Sequence, residues 1–335
     1  MPQQPTEPYD WALPADVTPP PVPADNPISD AKVALGRRLF YDTRLSREGT
    51  TSCASCHDPA RAFTDGESTS EGATGQRTPR SSMSLAGVGY ARTLTWANPL
   101  LVELESQSLV PLFGDNPVEI GGGAQDELLG RLLDDPYYRD AFPVAFPDAE
   151  EPATLLSITR ALAAFQRTLI SANSPYDMWN RGDDDALSAA AQRGLDLFES
   201  DRLGCARCHS APHFTDAAGT DSEPIFHHIG LPAASYLQPN RGVAEVSLRP
   251  EDEGLFKTPT LRNIALTAPY MHDGSLATLD DVLDHFASGG SGAPAQSPHI
   301  RPFTLTEGER ADVLAFLRAL TDREFVTSAG LADPW

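Results

Sequence analysis

The sequence predicts a mainly α-helical fold in which two like units pack on each other. Three observations predict it. A CxxCH motif occurs twice, as CASCH (53–57) and CARCH (205–209). The residues ahead of the two copies match in register. Apolar residues recur at helical spacing in long stretches, and no convincing series of strands is present.

The repeat comes first. LGRRLFYDTRL (35–45) precedes the first motif and RGLDLFESDRL (193–203) the second. Gly36/Gly194, Leu39/Leu197, Phe40/Phe198, Arg44/Arg202 and Leu45/Leu203 coincide. Downstream, AFTD (62–65) answers HFTD (213–216). Self-similarity of this kind marks duplication of one structural unit. Each unit opens with a helix, and Ser29-Asp30 after Pro27 gives the first helix its start.

The remaining elements follow in order. Residues 1–28 are Pro-rich and read as an extended arm. The first unit covers 29–183 and the second 184–335. Residues 66–82 form a polar loop. PATLLSITRALAAFQRTLIS (152–171) is an amphipathic helix with Leu155, Ile158, Leu162, Phe165 and Leu169 on one face. Residues 217–254 read as a long irregular excursion. TEGERADVLAFLRAL (306–320) opens with a capping box of Thr306 and Glu309.

Composition narrows the function. At 335 residues with 40% hydrophobic and 21% charged residues, the chain can build a sizeable core. No run of eighteen apolar residues offers a membrane helix. The opening MPQQPTEPYDWALP lacks a secretory signal and reads as a mature start with an added Met. A formal charge of -22 argues against nucleic acid as a partner. It permits a basic protein partner, although a solvated acidic surface is the simpler explanation.

The motif carries the chemistry. Cys53, Cys56, Cys205 and Cys208 are all the cysteines of the chain. One zinc on four thiolates would leave His57 and His209 as coincidences. A redox dithiol calls for one CxxC on a βαβ pattern, which is absent. A c-type haem uses both thiols as thioethers and the next His as iron ligand. Two covalent haem c groups are therefore expected, with His57 and His209 proximal. No thiol is left for a disulfide. Bacterial haem attachment takes place outside the cytoplasm, which implies a periplasmic protein.

FKTPTLRNIALTAPYMHDGSLATLDDVLDHF (256–286) closely resembles the C-terminal haem domain of the bacterial di-haem cytochrome c peroxidase/MauG family. The resemblance covers roughly residues 28–325. It implies two cytochrome-c-like domains packed together. WALPADVTPPPVPADNP, LTWANPLL, RTLISANSPYD and the final DPW resemble the subgroup found with methanobactin operons. That subgroup is paired with a small copper-associated protein and is thought to oxidise a tryptophan of its partner to kynurenine.

The resemblance also implies site residues. Many relatives block the first haem with a second His. No His lies between His57 and His209, so the first haem is expected to be open to hydrogen peroxide. Met83 reads as core. Gln107, Pro111 and Glu119 fall where the family covers this iron, with Glu119 two residues further along than in MauG. Trp96 takes the position between the haems. The family's calcium would use the carbonyls of Thr258 and Thr260, but Ser81 stands at the position of the ligating Asn. A hydroxyl is the poorer calcium ligand, so calcium stays open.

At the second haem, Phe286 occupies the usual distal position and has no lone pair for iron. Leu279, Val282, Leu283 and Phe286 form one apolar helix face. Three readings stay open: no distal ligand, Met271, or His285. His272 is expected to hydrogen-bond within its turn or to a haem propionate. Functionally, the resemblance implies peroxide-driven oxidation of a protein partner. The alternatives are a detoxifying peroxidase fed by a small cytochrome or cupredoxin, and a non-catalytic electron carrier.

Overall fold

A computed structural model describes residues 9–219, 226–231, 240–293 and 295–335. Among these, the first unit holds α1 (Asp30–Tyr41), α2 (Leu104–Gln107), α3 (Leu109–Phe113), α4 (Gln125–Leu133), α5 (Pro136–Ala145) and α6 (Leu155–Arg167). There follow α7 (Pro175–Asn180), α8 (Ala189–Glu199), α9 (Ala244–Ser247), α10 (Leu279–Ser288), α11 (Glu307–Ala319) and α12 (Arg323–Thr327). The sheet is one short antiparallel pair, β1 (Phe226–His227) with β2 (Phe256–Lys257), placing Phe226 opposite Lys257. The mainly helical expectation holds.

Local chemistry starts the helices where the sequence indicates. Ser29 caps α1, accepting from the backbone N of Lys32, and Thr306 with Glu309 forms the capping box of α11. Thr278 and Asp281 form another at α10. The stretch 217–254, read as irregular, contains β1 and α9; residues 220–225 and 232–239 of it lie outside the described residues, as do residues 1–8 of the arm.

The duplication is visible as one helix crossing made twice. α1 crosses α6 at Gly36, where a Cβ would lie 1.9 Å from the Ala161 carbonyl oxygen. α8 crosses α11 at Gly194, where a Cβ would lie 2.0 Å from the Asp312 carbonyl oxygen. Phe165 and Phe316 are the next neighbours at the two crossings. Only glycine permits this approach of two backbones.

Each crossing anchors its own core. Leu35, Leu39, Phe40, Phe63, Ile158 and Phe165 are buried in the first, and Leu195, Phe198, Leu203, Phe214 and Phe316 in the second. Leu169 belongs to the first core and Tyr176 to the second, so the chain changes unit between them. It then returns. Phe325 on α12 packs into the first core, and Arg37 and Tyr41 of α1 donate to the carbonyls of Ala332 and Leu331. The last residues, assigned to the second unit from sequence, thus lie on the first.

Candidate active site and second cofactor cavity

Both CxxCH motifs form single 3₁₀ turns, Cys53–Ser55 and Cys205–Arg207, and each borders a cavity. The first cavity, about 390 Å³, is lined by Cys53, Cys56 and His57. The second, about 190 Å³, is lined by Cys205, Cys208 and His209.

The two histidines are oriented in the same way. His57 Nδ1 lies 2.7 Å from the Phe63 carbonyl, and His209 Nδ1 lies 3.0 Å from the Phe214 carbonyl. A carbonyl only accepts, so each Nδ1 carries the proton and each Nε2 keeps its lone pair. Phe63 and Phe214 both sit at positive φ, +62° and +51°, a conformation costly for a bulky residue. In both units that conformation belongs to the residue whose carbonyl fixes the histidine. Burial lowers the pKa of both imidazoles, which favours the neutral ring a metal needs.

The cysteines do not form a zinc site. Burial pushes the thiols of Cys53 and Cys205 up to about 12 and that of Cys56 to about 11. Among the described residues, the group of three or more metal-ligand types whose atoms converge is Cys208, Asp216 and His227, not four cysteines. Paired thiols beside a histidine with a free Nε2, at the wall of a largely apolar cavity, fit a covalent haem c in each unit.

The first cavity also has polar groups in its wall. Gln107 ends α2, Pro111 lies in α3, and Glu119 lies in the loop beyond; all three line the first cavity. Ile120 N donates to the Pro111 carbonyl at 2.9 Å, and Ala73 N donates to the Glu119 carbonyl at 2.8 Å. These bonds fold residues 114–118 outwards, so two extra residues do not remove Glu119 from the cavity. Burial raises the pKa of the Glu119 carboxyl. The polar loop 66–82 closes over this segment at Gly72, where a Cβ would lie 2.0 Å from the Val118 carbonyl. Sequence reading missed that contact, which has no local signature. His57 is the one histidine among the described lining residues, and Met83, read as core, lines the wall as well.

Trp96 lines both cavities. Its indole Nε1 donates to the Ser81 carbonyl at 2.9 Å, and its own carbonyl accepts from Lys257 N at 2.8 Å. Ser81 in turn donates through Oγ to the Met271 carbonyl (3.2 Å) and through N to the His272 carbonyl (2.9 Å). The Thr258 carbonyl accepts from Thr215 Oγ1, and Thr260 Oγ1 donates to the His213 carbonyl, both at 2.7 Å. Of the residues considered for calcium, Ser81 thus ties the two units together beside Trp96, while Thr258 and Thr260 bond within the second unit.

The second cavity holds Met271 and Phe286 in its wall. His285 does not line it: its Nε2 meets the Ile229 carbonyl at 2.8 Å. His272 is buried, stacked on Phe256 with ring centroids 3.6 Å apart. A further group, His227, was missed in the stretch read as irregular. Its Nε2 lies 2.7 Å from Asp216 Oδ2 and 3.6 Å from Cys208 Sγ. Burial lowers its pKa, but its hydrogen bonds and charge interactions with Asp216 and Cys208 together outweigh this and raise it to about 9. The signal that finds His227 is the β1–β2 pairing, which no periodicity announces.

The sequence profile of the family "Di-haem cytochrome c peroxidase" matches residues 30–185. The methylamine utilization protein MauG of Methylorubrum extorquens is 39% identical over 90% of this chain and 81% of its own. The chain belongs to the di-haem cytochrome c peroxidase family. It is accordingly a di-haem oxidoreductase that uses peroxide. The cytochrome c551 peroxidase of Pseudomonas aeruginosa is 31% identical over 89% of this chain and 81% of its own. A crystal structure of a MauG-like protein associated with microbial copper homeostasis superposes with a TM-score of 0.93 at 44% identity, covering 98% of this chain and 99% of that one. No described helix is long and apolar enough to cross a membrane.

Proposed function

We propose that this di-haem enzyme works in the periplasm and uses hydrogen peroxide to oxidise a protein partner through long-range electron transfer. One observation carries the reading: an indole, that of Trp96, stands in the wall of both cavities, and the carboxyl of Glu119 stands in the wall of the first. When bound, haem c supplies the iron at which peroxide is reduced and the oxidising power is held. The chain supplies the rest. The Gln107 amide orients peroxide in the first cavity. The Glu119 carboxyl moves a proton from one peroxide oxygen to the other, and Pro111 narrows the space over the iron. Reduction of peroxide to two waters takes up two protons and two electrons, and the partner gives the electrons.

An electron route leads out of the second unit. Phe214, whose carbonyl holds His209, packs its ring on Tyr176 with centroids 5.1 Å apart. Tyr176 meets the half-buried Trp179 at 6.4 Å. In the first unit, among the described residues, the matching Phe63 meets the rings of Phe40 and Phe325, which resist oxidation, and reaches Tyr41 only through Phe40. Oxidisable rings thus lead to the surface from the second unit. Met271 is the distal candidate there, and His285 is committed to Ile229. No step of this mechanism is routed through calcium; Ser81 ties the two units together beside Trp96.

The relative associated with copper homeostasis supports a copper-associated partner, and the resemblance of the sequence implies a small one with an oxidisable tryptophan. The test is peroxide treatment of both proteins together, followed by peptide mass spectrometry of the partner. Oxygen added at a partner tryptophan, dependent on enzyme and peroxide, is expected. An unmodified partner, together with fast turnover of reduced cytochrome c, would instead establish a detoxifying peroxidase.

A further inference from the structure

Lys257 lies in β2, between the two units, and is 8% exposed. Its backbone N–H is bound by Trp96. Lys257 lines the second cavity and a small cavity of about 60 Å³ between the units. Among the described residues its ammonium makes no hydrogen bond and no ion pair. Asp216 is the acid that acts on it, but Asp216 lies beyond ion-pair distance and is already bonded to His227. Burial outweighs that attraction and lowers the Lys257 pKa to about 8. A buried ammonium without a partner is strongly disfavoured. Its place in the cavity wall points to an anion that completes the site.

The other basic groups of this wall have engagements of their own. His209 is held by the Phe214 carbonyl, His227 is paired with Asp216, His299 meets the His227 ring at 6.4 Å, His272 is stacked on Phe256, and Arg301 is exposed with its Nε on the Pro298 carbonyl. A haem carries two propionate carboxylates into its cavity. We propose that Lys257 binds a propionate carboxylate of the second haem and thereby raises that haem's reduction potential. The inference rests on the haem reading above. The ion pair would neutralise one propionate close to the iron, and less negative charge nearby favours the added electron.

The test compares holoenzymes carrying Lys257→Met and Lys257→Arg. Methionine keeps a long apolar chain and removes the charge; arginine keeps the charge. Optical potentiometric titration reads each haem separately. In Lys257→Met the second haem's oxidation equilibrium should shift at least tenfold towards ferric, which is 59 mV for one electron. The first haem should move less, and Lys257→Arg should stay near the parent. If Lys257→Met cannot retain the second haem while Lys257→Arg can, the charge requirement is likewise supported. Unchanged potentials in Lys257→Met, equal shifts in both variants, or loss of haem from both would overturn the proposal. A parent protein lacking a second haem would instead refute the cofactor reading.

Discussion

The indole Nε1 of Trp96 donates to the carbonyl of Ser81 at 2.9 Å. The same Ser81 holds the carbonyls of Met271 and His272. Trp96 is therefore fixed by a first-unit residue that is itself fixed to the second unit. Trp96→Phe removes the bond and leaves an apolar ring. We expect a stability loss of about 1 kcal/mol, with both haems retained. Electron exchange between haems should slow at least tenfold, since a phenyl ring is far harder to oxidise. Stopped-flow spectra after peroxide addition to half-reduced enzyme read the rate. Equal rates in parent and variant would make Trp96 a packing residue alone.

Glu119→Gln tests the proton carrier. The amide fills the same space but cannot shuttle a proton. The bimolecular rate of peroxide with the ferric first haem should fall by roughly 10²–10⁴-fold. A pH effect accompanies it. The Glu119 pKa is raised on folding, so its contribution to stability is present at low pH and is lost as pH rises through the folded value. The Gln variant lacks that loss. Its stability relative to the parent should rise between acidic and neutral pH, as read by denaturant melts across that range. A difference that does not change with pH would show that burial does not perturb this carboxyl.

Gly194→Ala tests the duplicated crossing. Its Cβ would stand 2.0 Å from the Asp312 carbonyl oxygen, which is backbone and cannot swing aside. α8 and α11 must separate, at a cost of about 1–3 kcal/mol. Calorimetry should show a lower melting temperature, with the same result for Gly36→Ala at the α1–α6 crossing. An unchanged melt would mean that the crossings relax freely.

The legible part of this protein was whatever repeats or is covalent. Gly36 and Gly194 matched in sequence because the same helix crossing demands glycine twice. Cys53, Cys56, His57 and their second copy were legible because thioether and ligand spacing is local. Trp96, Gln107 and Glu119 were placed only through the resemblance, since nothing in their own periodicity separates a cavity wall from a core or a surface. Gly72, His227 and Lys257 were missed because tertiary contacts place them: a loop folding over Val118, a two-residue strand pair, and a backbone bond to Trp96. The return of Phe325 to the first core was missed for the same reason, because a short tail carries no mark of which unit it covers.

Phe286→Tyr tests the second cavity. Phe286 lines that cavity from α10, while its neighbour His285 turns to the Ile229 carbonyl. The phenolic oxygen is therefore added to the one of these two side chains that faces the cofactor. The ring is unchanged, so packing of Leu279 and Leu283 against the core should be retained. A ferric iron favours the phenolate, drawing the phenol well below its usual value of about 10. Electron paramagnetic resonance of the ferric variant should then show a six-coordinate signal different from the parent's, and the peroxide-oxidised state should persist longer. Met271 lines the same cavity and is the competitor for the position. Met271→Leu separates the two arrangements: if Met271 is the parent's ligand, this variant alone changes the parent's signal. Identical spectra for the parent and Phe286→Tyr would show that position 286 does not reach the iron.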